Sequence, residues 1–175
     1  MLPRLLAVVL LTVAAAVPPA AAAAGPVSTP VGPALWTAPL GGELHVTRGF
    51  TPPASAYGAG HRGVDLAGAP GAPVLAAGAG TVLFAGMVAG RPVVSVVHAN
   101  GLRTTYEPVD PSVAAGQAVA RGSPIGTLVS GHAGCPGAGC LHWGLLRGNA
   151  YLDPLLLLRP PRVRLLPLDP LVPDG

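Results

Sequence analysis

The sequence predicts an all-β domain, built as a twisted antiparallel sheet or a sandwich-like pair of sheets. Short runs rich in β-branched residues are cut by glycine at strand-like intervals. Asn100-Gly101 lies between the runs VVSVVHA and LRTTYEPV and is a strong hairpin signal. No stretch carries a convincing amphipathic helical period. These three observations together indicate antiparallel β structure.

The first 24 residues have the pattern of a secretory signal peptide. Arg4 precedes an apolar run over residues 5–17, and small residues follow, which places cleavage among residues 22–24. The apolar run is shorter than the ~20 residues that a membrane span needs, and no cysteine lies at the cleavage site. We therefore expect an exported, extracytoplasmic protein with no transmembrane anchor after cleavage and no lipid anchor.

Three segments are expected to follow the signal peptide. Residues 25–40 are rich in proline and small residues and are predicted to be a linker or an extended lead-in. Residues 41–158 carry the strand-like runs and are long enough for one domain with a core. Residues 159–175 contain too many prolines for a helix and are predicted to be a tail, with one short strand at 163–166.

The predicted strands of residues 41–158 follow one another in short, turn-bounded runs. In chain order the runs are ELHVTRGF, GVDLAG, PVLAAGAGTVLFAGMV, RPVVSVVHANGLRTTYEPV, QAVARGSPIGTLVSG and CLHWGLLRG. Each is rich in residues that favour strands, and glycine, proline or asparagine marks its ends. The spacing is typical of a sheet whose strands are joined by tight turns.

Charge and cysteine content limit the class of function. The chain has 10 basic residues and 7 acidic residues, a formal net charge of +3, and its only basic cluster comprises Arg159, Arg162 and Arg164. This balance is too weak to indicate nucleic-acid binding. Cys135 and Cys140 are the two cysteines, and in an exported protein they most simply form one disulfide.

The stretch GHRGVDLAG, residues 60–68, carries candidate metal ligands. In a strand, His61, Gly63 and Asp65 project to one face, and the glycine leaves space for something bound by its neighbours. His142 follows in another predicted strand, so His61, Asp65 and His142 form a two-histidine, one-carboxylate set, a zinc ligand type with a fourth position open to water. The alternatives are a chance HxxxD match and a histidine at position 142 packed within its strand.

In their order along the chain, these runs resemble the lysostaphin-type or LytM-type peptidoglycan zinc metallopeptidases. The resemblance rests on GHRGVDLAG, APVLAAGAGTVLFAG, VVHANGLRTTYEPV, GSPIGTLVSG and CLHWGLLRG with YLDPLLLL, and covers residues 41–158. It implies a β-sheet groove that holds one Zn²⁺, and cleavage of peptide cross-links or stem peptides in the bacterial cell wall. The family's three zinc ligands fall on His61, Asp65 and His142.

Two departures from the family pattern concern proton transfer. The first histidine of the family's HxH motif is Cys140 here, and the histidine of its YxH stretch is Pro108. Zinc alone lowers the pKa of bound water to about 7. Each positioned acid or base adds ~10²- to 10⁴-fold to a rate, so we expect slow hydrolysis or none unless another group substitutes.

Other polar residues offer few substitutes for the missing histidines. Glu107 adjoins Pro108 but is expected on the opposite face of the strand. His132, in the glycine-rich loop before Cys140, is a weak catalytic candidate that could swing toward the metal, although a solvated loop position is the simpler expectation. His98 is expected to be structural, and His45 is expected at the surface.

Cys140 is open to three interpretations. It could pair with Cys135 across the short PGAG loop, serve as a further zinc ligand, or act as a reactive thiolate near the metal, which makes it a second weak catalytic candidate. The disulfide would fix the loop that leads into His142. It would also remove any proton-transfer role of the sulfur.

The substrate groove is predicted to include Arg103, Thr105, Tyr106 and Trp143, with packing inside the sheet as the alternative.

Two functions follow from the residues and the resemblance. The first is an exported zinc metalloendopeptidase, associated with the cell wall and acting on peptidoglycan. The second is a catalytically degenerate domain that binds wall peptides or regulates another cell-wall hydrolase. A disulfide-stabilised domain without metal is a third possibility, which the complete ligand set disfavours.

Overall fold

The structure, a computed structural model, describes residues 35–55 and 58–159. The predicted signal peptide, residues 1–24, and the strand predicted at 163–166 lie outside these ranges. Within the two described ranges no helix is long and apolar enough to cross a membrane.

The described residues form eleven strands and one 3₁₀ helix, with no α-helix among them. The strands are β1 (Val46–Arg48), β2 (Gly63–Ala67), β3 (Pro73–Leu75), β4 (Gly80–Val88), β5 (Arg91–Val97), β6 (Leu102–Glu107), β7 (Val109–Pro111), β8 (Ala118–Val119), β9 (Pro124–Leu128), β10 (Cys140–Arg147) and β11 (Ala150–Leu152). The 3₁₀ helix, Pro154–Leu158, is capped by the Asp153 carboxylate, which accepts the N–H of Leu155. The all-β prediction is confirmed.

Two antiparallel sheets make up the domain. The large sheet has the order β1-β2-β10-β6-β5-β4-β8, with β11 also paired to β10, and the small sheet has the order β3-β9-β7. β5 and β6 form the predicted hairpin, in which the N–H of Gly101 donates to the His98 carbonyl at 3.0 Å. Gly101 adopts a φ of 75°, which glycine enters without the steric cost of a Cβ.

One face of the large sheet covers the core and the other forms a groove. In β6 burial alternates strictly, because successive side chains point to opposite faces. Trp143 and Tyr106 are the largest fully buried side chains. The rest of the core cluster is mainly aliphatic and includes Val64, Leu66, Val74, Val82, Val94, Val96, Ile125, Leu128 and Leu141. Packing of this face fixes which residues of β6 and β10 point into the groove.

Residues 35–40, the end of the predicted linker, take part in the fold. Leu40 is buried in the core. The Thr37 N–H donates to the Ala77 carbonyl at 2.8 Å, and the Pro39 carbonyl accepts the Leu75 N–H at 2.8 Å. The described end of this segment therefore packs onto the domain.

His98 belongs to a buried chain of hydrogen bonds, which confirms its structural assignment. Its Nδ1–H donates to the Ala79 carbonyl at 2.9 Å, so its Nε2 accepts the Thr104 hydroxyl at 2.9 Å. The Thr104 oxygen in turn lies 2.9 Å from the Tyr106 hydroxyl. Burial lowers the pKa of His98 against the opposing effect of the Ala79 carbonyl, and burial raises the pKa of Tyr106 to about 12.

The lowered pKa of His98 predicts a loss of stability on acidification. Below its ordinary pKa of about 6.5 the unfolded chain takes up a proton at this residue and the folded chain does not, so the free energy of unfolding decreases as the pH falls through this range. We expect His98→Gln to flatten the dependence of Tm on pH between about 5 and 7.5. The exposed His45 offers a matched control, His45→Gln. Equal slopes in the parent and His98→Gln would contradict the prediction.

Candidate metal centre

The backbone register places the predicted ligands side by side. Asp65 is the central residue of β2, and its partner across the sheet is His142 of β10. His61 precedes β2 and is held by an isolated bridge to Thr51, with reciprocal backbone hydrogen bonds of 2.7 and 3.0 Å. Adjacent strands and one bridge thus bring together residues that are 81 positions apart in the chain.

Three side-chain atoms of these residues converge on a small volume. Asp65 Oδ1 lies 3.0 Å from His61 Nε2 and 2.8 Å from His142 Nδ1, and the two histidine nitrogens are 3.1 Å apart. A tetrahedral site with zinc–ligand bonds of about 2.0 Å has edges of roughly 3.3 Å. The spacing therefore fits a small divalent cation after shifts of a few tenths of an ångström.

The tautomer of His61 identifies its metal-facing atom. Its Nδ1 lies 2.7 Å from the Gly49 carbonyl, which can only accept, so Nδ1 carries the proton. In the neutral ring, Nε2 then presents a lone pair to the Asp65 carboxylate at 3.0 Å. Two acceptors face each other at this distance only when a proton or a metal cation lies between them. A backbone carbonyl that holds the outer nitrogen in this way is the usual support of a metal-binding histidine.

Burial and charge act in opposite directions on Asp65. The side chain is 1% exposed, and burial alone would raise the pKa of this carboxyl. The hydrogen bond with His142 and the charges of His132, His61 and His142 outweigh that effect and hold the pKa below its ordinary value. Asp65 Oδ2 has no hydrogen-bond partner among the described residues. An ionised, buried carboxylate with a free oxygen atom is a suitable cation ligand.

Gly63 provides the space for the ring of His142. A Cβ at position 63 would lie 2.7 Å from His142 Nε2 and 2.9 Å from its Cε1. No side chain fits there, so the glycine between His61 and Asp65 is required by the approach of β10. The space that the sequence predicted beside this glycine is filled by the imidazole of His142.

His132 is a fourth member of the cluster. Its Nε2 lies 3.0 Å from Asp65 Oδ1, and its ring stacks on that of His142 with centroids 5.5 Å apart. The potential ligand atoms of His61, Asp65, His132 and His142 all lie within 4.8 Å of one another. The expectation that His132 is a solvated loop residue was wrong, because the fold of its loop turns the ring toward Asp65.

Cys135 and Cys140 form the expected disulfide, with Cα atoms 5.7 Å apart. Neither cysteine is free. The thiolate and zinc-ligand alternatives for Cys140 therefore do not apply in this oxidised state, and its sulfur has no proton to transfer. Cys140 begins β10 two residues before His142, so the disulfide ties the preceding loop to the metal centre.

A groove of about 500 Å³ runs from His142 across the exposed face of the sheet. Arg103 and Thr105 line it, as predicted. Tyr106 and Trp143 do not, because both side chains are fully buried on the core face. Those two groove assignments were wrong, and the packing alternative is correct for both residues.

Glu107 also lines the groove, contrary to expectation. It is paired with His142 across β6 and β10, so the two side chains share a face. β6 ends at Glu107, and Pro108 is buried after it. From the sequence, position 108 was expected on the groove face and Glu107 on the opposite face. Alternate residues of a strand share a face, so Arg103, Thr105 and Glu107 all point into the groove.

Charged and apolar groups both line this groove. Arg91 Nε lies 2.6 Å from Glu107 Oε1, and Arg62 stacks over the Tyr151 ring at 5.5 Å. Exposed apolar side chains, including Leu83, Phe84 and Val88, form part of the wall. A groove of this composition suits an extended peptide with apolar and acidic groups.

The sequence profile of peptidase family M23 matches residues 59–154, more than half of the chain. The chain belongs to this family. The matched span contains all four members of the metal cluster and the whole of the groove face of β6 and β10. The resemblance to lysostaphin-type peptidases is confirmed.

Known relatives of this M23 chain include a protein of unassigned function and two peptidases. An uncharacterised protein of Mycobacterium tuberculosis is 53% identical over 135 residues, which is 75% of this chain and 54% of the relative. A zinc containing peptidase from Vibrio cholerae is similar with a TM-score of 0.57 and 29% identity, covering 69% of this chain and 39% of that one. The catalytic domain of the antimicrobial peptidase lysostaphin from Staphylococcus simulans has a TM-score of 0.57 and 25% identity, covering 66% of this chain and 93% of that one.

This M23 chain spans about half the length of the curated relatives that it matches.

The sequence located the three predicted ligands, but it gave His132 only a weak catalytic role and placed Glu107 on the wrong face of its strand. For Glu107 a signal was present, because counting alternate residues back through Thr105 to Arg103 places it on the groove face. For His132 no periodic signal exists, because the residue lies in a loop.

Proposed function

We propose that this M23 domain binds Zn²⁺ through His61, Asp65 and His142 and hydrolyses peptide bonds in bacterial peptidoglycan, in cross-links or stem peptides. The observation that carries the proposal is the convergence of His61 Nε2, His142 Nδ1 and the buried Asp65 Oδ1, which lie 2.8–3.1 Å from one another. Two imidazoles and one carboxylate are a ligand set of zinc hydrolases. When bound, the zinc would supply a water of lowered pKa and polarise the scissile carbonyl.

The groove supports a peptide substrate in extended form. Its lining residues come from the exposed face of neighbouring strands and end at His142. Arg103 presents a guanidinium to the groove, and no ion pair within residues 35–55 and 58–159 engages it. We infer that Arg103 binds a carboxylate of the wall peptide, because a guanidinium matches a carboxylate with paired hydrogen bonds.

Glu107 is the proposed proton acceptor. It lies across from His142 on the groove face, and its ion pair with Arg91 orients the carboxylate. In hydrolysis it takes a proton from the attacking water while the water oxygen bonds to the carbonyl carbon. It returns the proton to the departing amine nitrogen as the C–N bond breaks. Glu107 thereby supplies the proton transfer that Pro108 and Cys140 cannot.

Export is part of the proposal. Residues 1–24 have the pattern of a signal peptide, and the Cys135–Cys140 disulfide suits an oxidising compartment. The cell wall lies in that compartment. An extracytoplasmic, wall-associated location is therefore consistent with the proposed substrate.

The decisive experiment incubates purified sacculi with the zinc-loaded protein and detects released fragments by mass spectrometry. We expect new peptide ends with the parent and none with His142→Ala, which removes a ligand. If the protein is recovered from culture medium for this assay, its mass also reports whether residues 1–24 are removed.

A second candidate function is non-enzymatic binding of wall peptides or regulation of another hydrolase. Pro108 and Cys140, in the two positions that carry catalytic histidines in lysostaphin-type peptidases, favour it. Zinc-loaded parent protein that sediments with sacculi and releases nothing would support this alternative and contradict hydrolysis.

A further inference from the structure

The loop between β9 and β10 has an unusual construction for a surface connection. It spans residues 129–139 and is closed by the disulfide from Cys135 to the first residue of β10. The N–H of Cys135 donates to the His132 carbonyl at 3.4 Å, so His132 and Cys135 bracket a turn. The disulfide and this turn together fix where His132 lies relative to β10.

Within this loop His132 alone turns inward to the metal centre. Its neighbours Gly131, Ala133 and Gly134 are exposed, whereas the His132 side chain is only 11% exposed. The ring lies over His142 at an interplanar angle of 28°, with Nε2 directed at the Asp65 oxygen that also meets His61 and His142. His132 Nδ1 has no hydrogen-bond partner among the described residues. Burying this imidazole is costly unless its other nitrogen gains a strong interaction.

We propose that His132 is a fourth protein ligand of the metal held by His61, Asp65 and His142. The inference rests on the proposed zinc site. Three nitrogens approach one carboxylate oxygen at 2.8–3.0 Å, and three nitrogens with one oxygen complete a tetrahedral zinc shell. The distances between the other pairs of ligand atoms are all within 4.8 Å. A small movement of the loop, which contains three exposed glycines, would shorten them to the edges of a tetrahedral site.

A fourth protein ligand changes how the site works. Structural zinc sites have four protein ligands, whereas catalytic sites keep one position for water or substrate. With His132 bound, the position that hydrolysis needs is occupied. His132 must therefore leave the metal, or the coordination number must rise, before a peptide is hydrolysed. The loop of residues 129–139 then closes the metal centre, and displacement of this loop by a wall peptide opens the fourth coordination position.

The test uses Co²⁺ in place of zinc, because the visible absorption of Co²⁺ reports its coordination shell. The full protein, His132→Ala, His132→Gln and the exposed-histidine control His45→Ala are each titrated with Co²⁺ and then with acetohydroxamate, which binds open metal positions. Removing an outer-shell partner costs ~10–100-fold in metal affinity, and loss of a direct ligand costs at least as much. We expect a loss of that size in both His132 variants and none in the control.

The hydroxamate titration separates a ligand from a nearby residue. In the parent and in His45→Ala we expect the Co²⁺ spectrum to resist hydroxamate at concentrations that change the spectra of the His132 variants. Equal spectra and affinities in the parent and the His132 variants would overturn the inference and leave the three-ligand site intact. A parent that binds no Co²⁺, or whose affinity is unchanged by His142→Ala, would overturn the proposed metal site as well. The Tm of each metal-free variant verifies that it is folded.

Discussion

The Asp65→Asn variant is expected to lose metal binding and wall hydrolysis together. Asp65 Oδ1 is the atom on which His61, His132 and His142 converge, and the amide removes the charge that offsets a buried cation. The loss in Zn²⁺ affinity is expected to exceed about a hundredfold, because even an outer-shell change costs ~10–100-fold. Competition with a chromophoric chelator measures the affinity, and release of peptide ends from sacculi measures the activity.

The metal-free Asp65→Asn protein is expected to stay folded. The side chain keeps its volume, and the amide introduced at this position can donate a hydrogen bond to the His61 Nε2 lone pair, which faces an acceptor in the parent. The matched control is Asp110→Asn on β7, where the side chain is exposed. Zinc affinity that remains at the parent level in Asp65→Asn would disprove the metal site proposed here.

The Glu107→Gln variant is expected to keep its zinc and lose hydrolysis. A positioned base contributes ~10²- to 10⁴-fold to a rate, so kcat for peptide release should fall by that factor at unchanged metal affinity. The amide retains the shape of the side chain but accepts no proton. The rate is measured under zinc saturation, so that a loss of bound metal does not contribute to the change in rate.

Arg91→Gln provides the control for the ion pair. It removes the partner that lies 2.6 Å from Glu107 Oε1 but leaves the carboxylate in the groove. If Glu107 accepts the proton, Arg91→Gln retains most of the activity, whereas Glu107→Gln loses it. If the ion pair matters only for folding, the two variants lose activity and Tm to the same extent, and the assigned role of Glu107 is wrong.

Local patterns were sufficient for the sheet and for three members of the metal cluster. Asn100-Gly101 specified the β5–β6 hairpin because the turn needs a positive φ at position 101, which glycine adopts without steric cost. His61, Gly63 and Asp65 were placed correctly because the side-chain period of a strand is two. The register of β10 on β2 then brought His142 opposite Asp65.

Local patterns failed where the answer depended on which face of a strand is buried. Alternation separates Tyr106 from Glu107 but does not state which of them faces the core. The large aromatic rings of Tyr106 and Trp143 pack in the hydrophobic core under the large sheet, where both are fully buried. That packing turned Glu107 into the groove. Leu40, from the segment predicted to be a linker or an extended lead-in, is also buried in the core.

The sequence by itself determined the strands, the hairpin and the residues His61, Asp65 and His142, because period-two alternation and turn chemistry act over a few neighbouring residues. Only the tertiary structure decided the positions of His132 and Glu107. A loop residue has no periodic signal, and His132 reaches Asp65 only through the path that its loop takes in the folded domain. The face that Glu107 occupies depends on how the whole sheet packs its core, which no short stretch of sequence specifies.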